Sequence, residues 1–565
     1  MKNFGQTFFC GILVSGLSFL FAGCDQGKLT MPSKSDSLDV PTVSVQSGTL
    51  SGVREGGLNV FKGVPYAAPP VGEARWKPPG EPLTWSGTRQ ATQYGASCPQ
   101  PGVRYSTIYS FELEKFSEDC LKLNIWAPAD ATNAPVFFWI HGGANMRGSS
   151  QEPLYDGARL AQTGIIVVTV NYRLGILGFL AHPELSAESE RGVSGNYALL
   201  DQVAALRWVR NNIREFGGDP DKVTIAGESA GGLSVLSLLA MPDARGLFSK
   251  AIAQSSYMIS YPELKVSRFG QQAAEDTGQD LVEKLNASSI AELRKMDSAA
   301  ISNAAADLGY FPIGTVDGVV LPGQLVEIFE QGKQAPVPVL AGFNSGEIRS
   351  LSILAPPPPE TAEMYEASIR ERYFDLTDEF LRLYPSSDMQ ESIYATTRDA
   401  LYGWTAERLS RMQTAIGQPA YLYLFDHGYP AADAAGLHGF HASELPFMFG
   451  NADRTPPLWP KIPETPTHTE LSVAMVGYWS SFVRDGVPLA NGSPKWPAFG
   501  KNRSFMHFTE APDPSVGLFP GMYELHEEAV SRRRASGVAP WNWNTGIVSP
   551  KLMPSIETLT SSENQ

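Results

Sequence analysis

The sequence predicts an α/β protein: a central, mostly parallel sheet flanked by helices, with long helical insertions capping a cleft. Two observations carry that expectation. Short apolar runs at residues 136–140, 165–170, 223–226, 251–253, 337–343 and 421–425 suit strands covered on both faces, and 121–127 alternates like a half-exposed strand. Helical stretches at 196–216, 230–240 and 469–484 lie among these runs, and strands that alternate with helices imply parallel pairing. The excursions at 260–335 and 355–416, the second following Pro356-Pro357-Pro358-Pro359, are expected to cap the cleft rather than to fold alone.

No repeat and no strong internal linker divides the 565 residues, so 42–545 reads as one domain and 546–565 as a flexible tail. At 43% hydrophobic, 18% charged and 10% aromatic, the chain can bury a large core. A net charge of -15 argues against nucleic acid as a partner, because phosphate binding needs concentrated Lys and Arg. The tight basic cluster Arg532-Arg533-Arg534 is expected to be a solvated surface patch.

Residues 1–23 read as an export signal, with Lys2 as its positive end and an apolar stretch from Phe8 to Ala22 too short and too rich in Gly and Ser to span a membrane comfortably. Leu20-Phe21-Ala22-Gly23-Cys24 resembles a bacterial lipoprotein cleavage box, in which Cys24 carries the lipid; ordinary cleavage nearby is the alternative. Residues 24–41 then form a polar tether, and the expected location is periplasmic or the cell envelope, otherwise secreted. With Cys10 in the signal and Cys24 taken by a lipid, Cys98 and Cys120 remain as a pair. Export to an oxidising compartment predicts a disulfide between them, contributing roughly 3 kcal/mol on a chain-entropy model, with two free thiols as the alternative. There is no C-x-x-C pair or H-E-x-x-H motif, so no metal site is predicted.

Gly227-Glu228-Ser229-Ala230-Gly231 follows the strand-like 223–226 and opens the helix-like 230–240. A serine on such a sharp strand-to-helix turn projects its Oγ into a cleft as a nucleophile. In a chain with 53 glycines the pattern alone is weak, so its surroundings decide. The run 136–140 leads into His141-Gly142-Gly143-Ala144, a loop able to aim backbone N–H groups at developing negative charge together with the N–H of Ala230. A plain glycine turn is the competing reading.

Further blocks carry a family resemblance. Phe61-Lys62-Gly63-Val64-Pro65-Tyr66-Ala67 with Pro69-Pro70-Val71-Gly72 and Arg75, then Ser117-Glu118-Asp119-Cys120-Leu121-Lys122-Leu123-Asn124, Asn171-Tyr172-Arg173-Leu174-Gly175, Gly195-Asn196-Tyr197 to Asp201-Gln202, and Phe216-Gly217-Gly218-Asp219-Pro220 occur in order. Together with the serine motif they resemble the type B carboxylesterases, which include cholinesterases and bacterial para-nitrobenzyl esterases. The resemblance implies an α/β-hydrolase fold, carboxylic ester hydrolysis through an acyl-enzyme on Ser229, small-molecule ester substrates, no cofactor and no obligate protein partner.

It also implies site residues, in the chain order Ser, acid, His that α/β-hydrolases follow. Glu347, in Gly342-Phe343-Asn344-Ser345-Gly346-Glu347, matches the acid. His441, in His441-Ala442-Ser443-Glu444-Leu445-Pro446-Phe447, matches the base, with His438 as the alternative three residues away. Gly143, Ala144 and Ala230 are implied as oxyanion donors, Glu228 as a supporting acid and Ser255 as a partner of the acid. His141 is expected to shape the oxyanion loop rather than act as a base.

Three departures bear on substrate. The 98–120 loop holds Tyr105 and Tyr109 but no tryptophan, which speaks against recognition of quaternary ammonium on an aromatic face. Asn145 stands where the family commonly has an aromatic. Ile348-Arg349 follows Glu347 where Gly and a small residue are usual, and Arg349 is expected either at the surface or paired with an acidic substrate. A non-catalytic adhesion or scaffold role and a lipase acting on aggregated lipid are the alternatives to a soluble-ester hydrolase.

Overall fold

The computed structural model describes residues 40–102, 106–542 and 544–553. The export signal, Cys24, Tyr105 and the last part of the tail lie outside the described residues. A 3-stranded sheet joins β1 (Thr42–Val45), β2 (Gly48–Ser51) and β5 (Thr88–Gln90). The main sheet has 11 strands: β3 (Val53–Glu55), β4 (Leu58–Pro65), β6 (Lys122–Pro128), β7 (Ala134–Ile140), β8 (Ile166–Val170), β9 (Gly218–Glu228), β10 (Lys250–Gln254), β11 (Val339–Asn344), β12 (Ala420–Phe425), β13 (Ser504–Phe508) and β14 (Pro512–Val516). Their spatial order is β14-β13-β12-β11-β10-β9-β7-β8-β6-β4-β3. From β13 through to β8 every pairing is parallel, and the antiparallel pairs lie at the two edges.

The apolar runs are explained by burial on both faces. Side chains alternate along a strand, so Val136, Phe138 and Ile140 of β7 join one core while Phe137 and Trp139 join the other. The same split separates Ala420, Leu422 and Leu424 of β12 from Tyr421, Tyr423 and Phe425. On the first face packs helix Ala230–Ala240, buried all round; on the second, helix Pro466–Asp485 supplies Tyr478, Trp479, Phe482 and Val483. That helix starts earlier than the apolar pattern shows because Thr465 caps it, its side chain accepting the N–H of His468.

Two sequence expectations change. Residues 546–553 are not a loose tail: Gly546 and Leu552 are buried, and the Ser549 hydroxyl bonds that of Tyr373 at 2.8 Å. The Arg532–534 cluster is likewise not simply solvated. Arg533 is only 2% exposed and donates to the Pro550 carbonyl, while Arg532 and Arg534 pair with Asp375 and Glu330. Arg533 thus holds the segment around Pro550, between two arginines that make ion pairs.

Candidate active site

Register places the candidate residues side by side. Ile140 pairs with Gly227, Glu228 with Gln254, Gln254 with Gly342, and Asn344 with Phe425. The segments leaving the carboxyl ends of β7, β9, β10 and β11 thus begin as neighbours, at the end of a parallel sheet where ligands bind.

Ser229 adopts φ 56° and ψ -121°, a left-handed backbone that a non-glycine residue holds only when its surroundings impose it. Its N–H donates to the Gln254 carbonyl and its own carbonyl accepts from Leu233, fixing the turn at both ends. The flanking glycines are steric necessities: a Cβ on Gly227 would collide with the Gly231 backbone, and one on Gly231 with the Ile140 carbonyl. Beside this turn, the Gly143 carbonyl accepts from the N–H groups of Met146 and Arg147, curling the loop with Gly143 at φ 103° and Ala144 at φ 56°. Among the described residues no protein acceptor takes the N–H of Gly143, Ala144 or Ala230, so these donors remain available to an oxyanion. His141 is buried, stacks on Tyr172 at 4.5 Å and places Nδ1 2.8 Å from the Gly142 carbonyl. Burial pulls its imidazole down to about 4, so it is neutral at ordinary pH.

Glu347 is fully buried. Its Oε1 accepts from the Ser255 hydroxyl at 2.6 Å and the Asn344 N–H at 2.8 Å, and its Oε2 bonds His441 Nδ1 in a short contact. The acid loop is tied to the histidine loop by Gly346 N–H to the Gly439 carbonyl at 2.8 Å and by Asn344 Nδ2 to the Phe440 carbonyl at 2.8 Å. Glu444 closes this support: Asn344 Nδ2 donates to one of its oxygens at 2.6 Å and Gln254 Nε2 to the other at 2.9 Å, with Trp479 Nε1 donating to Gln254 in turn.

One contact differs from the expected geometry. Among the described residues no hydrogen bond joins Ser229 Oγ to His441; instead His441 Nε2 stands 3.0 Å from Glu228 Oε1, within ion-pair distance but off the line of a hydrogen bond. Burial pulls the His441 imidazole down, yet Glu228 and then Glu347 outweigh it and raise the group to about 9. Burial also raises Glu228 to about 8, although His441 opposes the rise. The serine–histidine link is therefore unmade here, with Nε2 facing the Glu228 carboxyl. Such links are often loose without substrate and tighten in the complex.

His438 sits outside the cleft, with Nδ1 2.9 Å from Asp433 and Nε2 3.2 Å from Asp426. Arg349 pairs with Glu391 at 2.6 Å. Cys98 and Cys120 are joined as a disulfide. The loop they close carries Tyr109, whose hydroxyl donates to the His441 carbonyl at 3.0 Å and accepts from Ser350 Oγ at 2.7 Å. Asn145 turns away to donate to the Pro312 carbonyl at 3.3 Å. Tyr402 was not legible: its ring lies 5.5 Å from that of His441 because Asp399–Gly403 forms a π-turn between helices Met389–Arg398 and Trp404–Ala415.

The family blocks resolve into buried pairs. Arg75 holds Glu118 through two 2.6 Å bonds, and Arg173 holds Asp201 through bonds of 2.8 and 2.7 Å. The sheet, the serine turn and the acid–histidine pair together define an α/β-hydrolase. The chain belongs to the carboxylesterase family, whose model matches residues 39–519. Similar proteins include the fumonisin B1 esterase of Sphingopyxis macrogoltabida, 36% identical over 490 residues covering 84% of this chain and 87% of the relative. The para-nitrobenzyl esterase of Bacillus subtilis is 38% identical over 465 residues, covering 81% and 92%. A solved para-nitrobenzyl (PNB) esterase structure superposes with TM-score 0.75 at 33% identity, covering 86% of this chain and 99% of the other. The protein is a carboxylesterase of the serine hydrolase type that acts on small-molecule esters, and the non-catalytic alternative is not favoured.

Proposed function

We propose that Ser229, His441 and Glu347 carry the hydrolysis. His441 Nε2 takes the proton of Ser229 as Oγ attacks the ester carbonyl; Glu347 orients the ring and stabilises its cation; Gly143, Ala144 and Ala230 donate to the oxyanion. The alcohol leaves with the proton from His441, and water activated by the same ring releases the acid from Ser229. Before attack the proton on His441 Nε2 passes to Glu228, 3.0 Å away and favoured as the neutral acid by burial, which leaves a neutral ring to take the Ser229 proton. The observation that carries this reading is the strained φ of 56° at Ser229 beside unpartnered N–H donors. A fluorophosphonate probe tests it: one covalent label in the wild type and none in Ser229→Ala is the expected result. Labelling retained in Ser229→Ala would assign the nucleophile elsewhere.

Export and a lipid on Cys24 belong to the same proposal, supported by the signal-like residues 1–23, the cleavage box and the Cys98–Cys120 disulfide. Metabolic labelling with a fatty acid should mark the wild type and leave Cys24→Ala unmarked.

A further inference from the structure

Beside the acid loop, with none of Ser229, Glu347 or His441 in its lining, is a cavity of about 440 Å³, within the usual size range of small-molecule sites. Its lining includes Leu424 of β12, Phe505 and His507 of β13, and Ser515 and Val516 of β14. Among its lining residues are Arg349, Arg398, His438 and His507, against the acidic Glu391 and Asp426. Each of these basic groups also has a carboxylate partner, so the wall sets guanidinium and imidazole N–H groups among acids.

The basic groups are held in place rather than consumed. Arg398 gives Nε to Asp399 at 2.7 Å and Nη1 to the Ser345 carbonyl at 3.1 Å, with its guanidinium 4.5 Å over the Phe519 ring. Arg349 gives Nη2 to Glu391 and Nη1 to the Gly436 carbonyl at 3.4 Å. Arg398 Nη2 and Arg349 Nε take no acceptor among the described residues and are not sealed from solvent. Asp426 bridges His438 at 3.2 Å and His507 at 3.0 Å, and Asp433 holds His438 from outside the cavity. The hydrogen bond that His438 donates to Asp426 leads its rise to about 9, against burial. Oriented guanidinium forks with open N–H groups match the planar, multivalent acceptors of carboxylate and phosphate.

We propose that this cavity binds a small multivalent oxyanion, a di- or tricarboxylate or a phosphate, at a site separate from the ester cleft. Isothermal titration of the intact enzyme with citrate and with inorganic phosphate, against sodium chloride at matched ionic strength, tests it. The expected result is saturable binding of at least one of the two, weakened tenfold or more in both Arg349→Gln and His507→Gln. The tighter anion tells carboxylate from phosphate. Arg349 follows the acid and His507 lies on β13, so if one variant fails to fold the other carries the test. No saturable binding by either anion, or binding that a folded variant retains in full, would overturn the proposal.

Discussion

His441 and His438 stand three residues apart on one loop, and both are raised to about 9, yet they face different worlds. His441 is 6% exposed and lies between two buried carboxyls, Glu228 and Glu347. The His438 side chain is 43% exposed and held by Asp426 and Asp433. A shared pKa therefore says little about role. What separates them is a dry setting, a carboxylate fixed on Nδ1 by further hydrogen bonds, and a second buried carboxyl, Glu228, facing Nε2. Where the carboxylates are themselves hydrated, an equally basic histidine is an ion pair.

The largest expected effect breaks the inner region. Glu347→Gln keeps shape and the Ser255 bond but removes the charge that orients His441, so kcat should fall about 10⁴-fold, as loss of the acid does in another serine hydrolase. Steady-state rates on a soluble p-nitrophenyl ester measure it; a fall under tenfold would mean that Glu228 holds the ring unaided. Glu228→Gln is the next step. Losing that carboxylate removes the leading cause that raises His441, so its imidazole should drop below 9 and become a free base at lower pH. The acid limb of the kcat/KM profile should move toward acid by about a unit or more, an order of magnitude in rate at the low-pH end. An unmoved limb would show that Glu347 alone sets it.

The inner site was legible in sequence because its parts are local and chemically specific. Glycine is forced at 227 and 231 by backbone approach, and the strand runs before Ser229 and Glu347 are apolar because both sheet faces are covered. The Ser255 contact with the acid was implied by the family resemblance, its place after the 251–253 run fitting a strand-end cap as well. What the sequence does not display is anything set by long-range packing. The π-turn that aims Tyr402 at His441 leaves no periodic trace, and the contact of Glu228 with Nε2 depends on the protonation of a pair far apart in sequence. Arg533 looks like its exposed neighbours until the chain end folds over it. Arg349 and His438, each weighed singly for the ester site, acquire meaning only when the β12–β13 end brings them to one cavity.

A smaller effect should follow from the strut between the disulfide loop and the histidine loop. Cys98→Ser with Cys120→Ser frees a loop whose closure is worth roughly 3 kcal/mol, and lets Tyr109 leave Ser350 and the His441 carbonyl. Denaturant unfolding should report that loss. Because Tyr109 touches the wall of the cleft and not the serine turn, KM should rise more than kcat falls; the reverse would place the strut in the positioning of the base itself.

The smallest effect sharpens the comparison from outside. Asp433→Asn removes one of the two carboxylates holding His438, so that imidazole should titrate below about 9 while His441 is untouched. Histidine NMR on ¹³C-labelled protein follows the two rings separately, and the cost in stability should stay within about 0.5 kcal/mol, as for most exposed substitutions. Turnover of a neutral ester should hold within about twofold. A marked fall in turnover would mean that the outer ion pair sets the 438–441 loop, and that the two histidines form one electrostatic unit rather than two.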